Sequence, residues 1–247
     1  IGMCMLIASE NFSTAFLLYS VVVALLWFGR TPRKIILWLT LPLIGIGLLG
    51  FTIGKTMNKE TAASIAESVP MLHRVPTWVN RLQNDNKMPD DPKLYNVQEN
   101  QQVAHAQIAI ATCGIFGRGP GKSVERDYLP QAFSDFIFAI IVEEGGILAA
   151  LLVIFLYLFL LYRAWRIADK CATRFPAYLV MGLSLMLVLQ ALINMGVAVG
   201  LLPVTGQPLP LISKGGTSTI ITCAYIGMIL SVSRTARKVE EMAAESN

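Results

Sequence analysis

Apolar residues along the chain gather into long unbroken blocks, with neither the strict alternation of a half-buried strand nor the one-sided spacing of a surface helix. Inside lipid every backbone N–H and C=O must be paired within its own segment, so a block of roughly 20 apolar residues predicts a helix crossing a core of about 30 Å. Four blocks fit: about Ser13 to Phe28, Ile35 to Gly54, Phe136 to Tyr162 and Ala177 to Leu201. A fifth, about Gly215 to Val232, is diluted by Gly-Gly-Thr-Ser-Thr, small residues that suit closely packed membrane helices. Residues 1–8 read as the tail of a further helix, and the chain as the C-terminal part of a longer protein. The predicted fold class is all-α, a polytopic transmembrane helical bundle with a large loop. Residues 1–54 hold the end of one helix and two spans, 55–135 the loop, 136–233 three spans and 234–247 a tail.

The polar positions then orient the spans. Arg30, Arg33 and Lys34 fall between the first two blocks, Arg163, Arg166, Lys170 and Arg174 follow the third, and Arg234, Arg237 and Lys238 follow the last. Strict alternation puts all three groups on one side, which the positive-inside rule makes cytoplasmic. The C-terminus is therefore expected in the cytoplasm. The loop, whose acidic and basic residues balance, is expected outside it.

Composition agrees. Of 247 residues, 54% are hydrophobic and 15% charged, against about a quarter charged in an ordinary soluble domain. That excludes a soluble enzyme, a disordered chain and a disulfide-stapled secreted module. The net charge of +4 sits at the ends of apolar blocks, so it points to membrane lipid and not to nucleic acid. Cys4, Cys113, Cys171 and Cys223 are scattered, with no metal-ligand or disulfide spacing.

A connector of about eighty residues is long enough to be functional. Its first half carries Pro70, Pro76, Pro89 and Pro92; from Glu99 to Phe116 it turns small and mildly apolar, predicting an interfacial or re-entrant helix. Gly-Arg-Gly-Pro-Gly-Lys-Ser follows at Gly117 to Ser123. It is not a phosphate loop, because Phe116 stands where the first glycine belongs and Pro130 interrupts the helix that should follow. A glycine loop bearing Arg118 and Lys122 has two readings, a plain turn or a backbone cradle for an anion.

Asp135 stands where loop meets apolar run. Either it or Ser134 is placed to cap the helix; a carboxylate against a low-dielectric wall also has physical reason for a raised pKa, which suits a general base. Glu143 and Glu144 lie two helical turns deeper, where ionisable groups face a cavity or a partner helix. About 100° apart around the axis, they are not expected to share one role. Gln190 and Asn194, four residues apart, read as interhelical hydrogen-bonding groups. Lys214 reads as a lysine reaching for the interface. His73 and His105 are too far apart to argue for a metal.

The stretch Gly117 to Glu144, with its Ser-Val, Leu-Pro, Ser-Asp-Phe-Ile-Phe-Ala and Glu-Glu elements, resembles the SEDS family of bacterial cell-wall polymerases, which includes the FtsW and RodA lineages. So do Leu-Pro-Leu-Ile-Ser-Lys-Gly-Gly-Thr-Ser at Leu209 to Ser218, the stretch Asn194 to Pro210, and Glu-Asn-Phe-Ser-Thr-Ala at Glu10 to Ala15. The Gly-x-Ser-Val and Leu-Pro-Leu-Ile-Ser wording is closer to FtsW, the division member, than to RodA, the elongation member. The resemblance implies ten membrane helices, this chain holding the end of the fifth through the tenth. It also implies a peptidoglycan glycosyltransferase in the bacterial cytoplasmic (inner) membrane, polymerising lipid II into glycan strands on the outer side. The family's essential aspartate falls on Asp135 and its acidic residue before Leu-Pro on Asp127. Gln131 replaces a usual carboxylate, Lys214 a usual tyrosine, and Glu10 and Asn11 a usual Pro-Asp.

On that resemblance Asp135 takes the proton from the acceptor hydroxyl. Arg118, Lys122, Ser123, Arg126 and Lys214 are candidates for holding the substrate's pyrophosphate. Asp127 is available to steady a basic residue or a divalent cation, magnesium or manganese, although no ligand set is legible in the spacing. A class B penicillin-binding transpeptidase is the expected protein partner. Three rivals stand beside this reading: a lipid II flippase or other transporter, using Glu143, Glu144, Gln190 and Asn194 along a substrate path; an elongation polymerase of the RodA type; and a non-catalytic scaffold.

Overall fold

A computed structural model of the chain describes residues 2–41, 101–129 and 133–245. The second predicted span beyond residue 41, the loop as far as residue 100 (with His73), and Pro130 and Gln131 lie outside the described residues. The chain divides into two units, Ile1–Tyr95 and Asn96–Asn247.

In the first unit, α1 (Gly2–Glu10) and α2 (Phe12–Phe28) are separated by Asn11 alone. Asn11 adopts an extended backbone and its side chain accepts from Thr14 N at 3.3 Å, so α2 begins with a side-chain cap. Asn11 therefore performs a capping task open equally to the aspartate usual in the resembling motif. The helix stops at Gly29, whose N–H donates to Leu25 O. Residues 33–41 are helical again, and Tyr19 donates its hydroxyl to Leu39 O at 3.1 Å. At about 26 Å, from 1.5 Å per residue, α2 is shorter than the apolar core it was expected to cross.

The second unit comprises α3 (Gln101–Thr112), a short 3-10 turn (Glu125–Tyr128), α4 (Ile137–Asp169), α5 (Arg174–Ala198) and α6 (Gly216–Glu245). There is no strand among the described residues. α4, α5 and residues Gly216–Arg237 of α6 are each long and apolar enough to cross a membrane. α6 runs on to Glu245, so the expected tail from residue 234 is helical through that residue.

The core forms where α4 lies along α5: Phe138, Val142, Val153 and Tyr157 pack with Val188, Ala191, Met195 and Ala198. Val103, Ala106 and Ala109 share one face of α3 and pack on Phe136, Ala139, Ile140 and Val197. Alanine at two of those positions lets the α3 backbone come close. The expected helix within Glu99–Phe116 is thus present, and it leans on the start of α4 and the end of α5. The opposite side of α4 exposes Leu148, Leu151, Leu152, Phe155 and Phe159, a surface suited to lipid.

One residue interrupts α4. Gly146 has φ 70° and ψ −167°, a conformation open essentially to glycine. Beyond it the helix resumes and runs to Asp169.

Candidate active site

The glycine stretch after α3 folds back against the break in α4. Arg118 N and Gly119 N each donate at 2.9 Å to the carbonyls of Glu143 and Glu144, and Ile147 N donates to Gly114 O at 3.3 Å. Backbone groups freed by the break are thereby paired, which an interrupted helix at membrane depth requires. The approach is close enough to dictate glycine on both sides. A Cβ on Gly117 would collide with the Glu144 carbonyl, and one on Gly146 with the Ile115 carbonyl.

Glu143 points into this loop and is fully buried. Its carboxylate accepts from Ser123 Oγ at 2.5 Å, Val124 N at 3.1 Å and Glu125 N at 3.4 Å, and pairs with Arg118 Nη1 at 2.9 Å. Ser123 Oγ in turn accepts from Arg126 N at 3.1 Å, starting the 3-10 turn. The glycine loop is thus an anion cradle whose anion is internal. The backbone N–H groups of Arg118, Gly119, Val124 and Glu125 are taken, and Arg118, about one-third exposed, pairs with Glu143 through Nη1. A loop of the same unit thus takes the place of the expected partner helix for Glu143. Glu144, half-buried, is held through its backbone carbonyl, a different role from its neighbour.

Asp135 sits in a second cluster. Its half-buried carboxylate receives a hydrogen bond from Ser134 Oγ at 2.8 Å, and the backbone of Gly206 lies beside its other oxygen. Neither Ser134 nor Asp135 caps α4, whose N-cap position is Phe136 without a side-chain bond. The capping reading therefore does not describe this aspartate. Gln190 and Asn194 do not bridge helices either: Gln190 Nε2 donates to Pro208 O at 3.0 Å, and Asn194 Nδ2 to both Asp135 O and Gln207 O at 2.7 Å. Ser213 Oγ donates to Ser134 O at 2.6 Å, and Lys214 N to Phe133 O at 2.8 Å. Leu211, between these ties, holds φ 67°, a strained value for a residue other than glycine. Tyr157 of α4 anchors the same segment through its hydroxyl to Pro210 O.

The remaining candidates lie on the outside of these clusters. Lys122 and Lys214 are exposed; Arg126 leans on the exposed Asp127, Nε to Oδ1 3.4 Å. His105 of α3 pairs with Glu125 at 2.5 Å and stacks on Tyr128, ring centroids 5.3 Å apart, which fixes the 3-10 turn to α3. Sequence reasoning gave neither His105 nor Gly146 a role; the Gly145–Gly146 pair inside an apolar run was the available signal. Among the described residues no three His, Cys, Asp or Glu side chains gather into a donor set. Among the described residues nothing joins Asp127, exposed beside Arg126, to make a divalent-cation site.

The family model described as cell cycle protein, covering FtsW, RodA and SpoVE, matches residues 1–238. Relatives named as probable peptidoglycan glycosyltransferase FtsW include one from Bacillus subtilis, 41% identical over 58% of this chain and 36% of its own length. Another, from Dichelobacter nodosus, is 37% identical over 79% of this chain and 46% of its own. A third, from Mycobacterium tuberculosis, is 34% identical over 95% of this chain and 40% of its own. The chain spans between about a third and a half of the length of these curated relatives. A solved chain from work on coordination of polymerization and crosslinking by a peptidoglycan synthase complex is 27% identical, with a TM-score of 0.48, covering 76% of this chain and 53% of that one. With three helices of spanning length and such relatives, this is an integral membrane protein. The chain belongs to the FtsW, RodA and SpoVE family of cell cycle proteins.

Proposed function

We propose that the protein is a peptidoglycan glycosyltransferase of bacterial cell division, polymerising lipid II, with Asp135 as general base. The observation that carries this is the contrast in availability between two carboxylates of the second unit. Glu143 is buried and neutralised by Arg118, whereas Asp135 is half-buried, with a single described hydrogen bond to its carboxylate, at the start of a spanning helix. The names of the relatives support the same reaction.

In that reaction the 4-hydroxyl of an acceptor sugar attacks C1 of the donor while undecaprenyl pyrophosphate leaves. Asp135 accepts the hydroxyl proton as the new C–O bond forms, a contribution of about 10²–10⁴-fold. The departing pyrophosphate gathers negative charge, which fixed cations stabilise. Lys122, Lys214 and Arg126 are assigned that task; Arg118 is assigned to the Glu143 pair. Positive-inside orientation places residues 55–135 outside the cytoplasmic membrane and the C-terminus inside. A class B penicillin-binding transpeptidase is the partner that would cross-link the product.

A transport reading loses support from the same geometry, because Glu143, Gln190 and Asn194 are committed to holding loops. The test is Asp135→Asn in the full-length protein, supplied with lipid II and read by glycan-chain electrophoresis. Loss of polymer with normal membrane insertion is expected; glycan of ordinary length and yield would remove the base assignment. Lipid II translocation without polymerisation by the unaltered protein would favour the flippase.

A further inference from the structure

Three successive carbonyls, those of Phe133, Ser134 and Asp135, each accept a hydrogen bond from residues between 194 and 214. The first two donors, Lys214 N and Ser213 Oγ, belong to an irregular segment. The third, Asn194 Nδ2, belongs to α5 and is the one donor rooted in a long helix. The first turn of α4 is tight, Ala139 N donating to Phe136 O at 3.0 Å, so Asp135 O is available to this external donor.

We propose that Asn194 is the positioning residue for Asp135: its amide fixes the aspartate's peptide plane and ties that plane to the Gln207 segment. Fixing the peptide fixes the direction in which the carboxylate leaves the backbone. The two amide hydrogens diverge in one plane, so a single Asn joins Asp135 O and Gln207 O in a set geometry. Its remaining atom strengthens the argument. Asn194 is 1% exposed, and among the described residues Oδ1 has no hydrogen-bond partner. Buried polar atoms are nearly always satisfied, and exceptions collect where function requires an arrangement that stability alone would not choose. Turning the amide over would set an oxygen against two carbonyls, so the orientation is determined by its partners.

This rests on the proposed role of Asp135 as base, and the experiment separates the two. In the full-length protein with lipid II, Asn194→Ala and Asn194→Leu, which keeps the branching at Cγ, are compared with Gln190→Ala. The last removes a tie to the same segment, at Pro208 O, but none to Asp135. Misplacing a reacting group by about 1 Å costs on the order of 10²-fold in rate, so both Asn194 variants should lose about that in kcat with KM changed by less than about twofold. Gln190→Ala should lose no more than about threefold. In an Asp135→Glu background, where the carboxylate is already displaced, Asn194→Leu should cost far less than it does alone.

Folded Asn194 variants with ordinary kcat overturn the inference, as does a Gln190→Ala loss equal to theirs. So does failure of both Asn194 variants to insert and fold, which would make the residue a scaffold. Asp135→Asn run alongside keeps the readings apart: glycan of ordinary length and yield from that variant removes the base assignment. A dead Asp135→Asn beside active Asn194 variants removes this inference alone.

Discussion

Asp135 and Glu143 stand eight positions apart around the start of one helix, and their surroundings give them opposite characters. Glu143 is enclosed by a hydroxyl, two backbone N–H groups and a guanidinium, and has no surface in contact with solvent. Asp135 has its backbone held firmly while its carboxylate stays half-buried with one described neighbour donating to it. A carboxylate whose lone pairs are all engaged is a fastener; one whose peptide is fixed and whose oxygens are less engaged is equipped to exchange a proton. Depth in the apolar run did not distinguish them. The partners did.

That contrast can be broken at several points. Glu143→Ala leaves Arg118, Ser123 and two N–H groups without their acceptor. The expected loss is about 3 kcal/mol, the lower end for a broken buried pair because Arg118 reaches water, and it should show as a lowered unfolding midpoint in detergent. If stability holds, the fastener description is wrong. Gly146→Ala forces a side chain into a glycine-only conformation and against the Ile115 carbonyl, for about 2–3 kcal/mol in the same assay. Gly117→Ala should resemble it, since the two glycines meet across one contact. Ser123→Ala removes a donor to Glu143 and the acceptor for Arg126 N, costing about 1–2 kcal/mol. The smallest structural effect is expected at exposed Lys122: Lys122→Ala should shift stability by less than about 0.5 kcal/mol. Its rate loss should shrink as salt screens the attraction to pyrophosphate. A salt-independent rate would take Lys122 out of the substrate site.

Much of the fold was legible in the pattern of residues. The apolar block Phe136–Tyr162 falls on α4, which runs on to Asp169; Ala177–Leu201 falls on α5, which lies three residues earlier; and Gly215–Val232 falls on α6, which begins at Gly216. The small, mildly apolar stretch Glu99–Phe116 contains α3, Gln101–Thr112. Asp135 was singled out by its place between loop and apolar run, and by the resemblance. The interruption at Gly146 was not read, because periodicity averages over a window and one residue in an unusual conformation leaves the average unchanged. Gln190 and Asn194 were read as groups joining helices, since spacing reveals that two amides share a face but not what lies opposite. Arg118 and Glu143 are 25 positions apart, and nothing local links them.

Length and hydropathy determined by themselves that this chain forms spanning helices, because pairing backbone groups without water is a requirement each segment meets alone. The family, too, is written in short motifs that survive without coordinates. Only the tertiary structure decided which polar groups are spent on one another and which are left for chemistry. Hydrogen bonds such as Asn194 to Asp135, 59 residues apart, act over about 3 Å, and no property of either residue's sequence neighbourhood brings those atoms together.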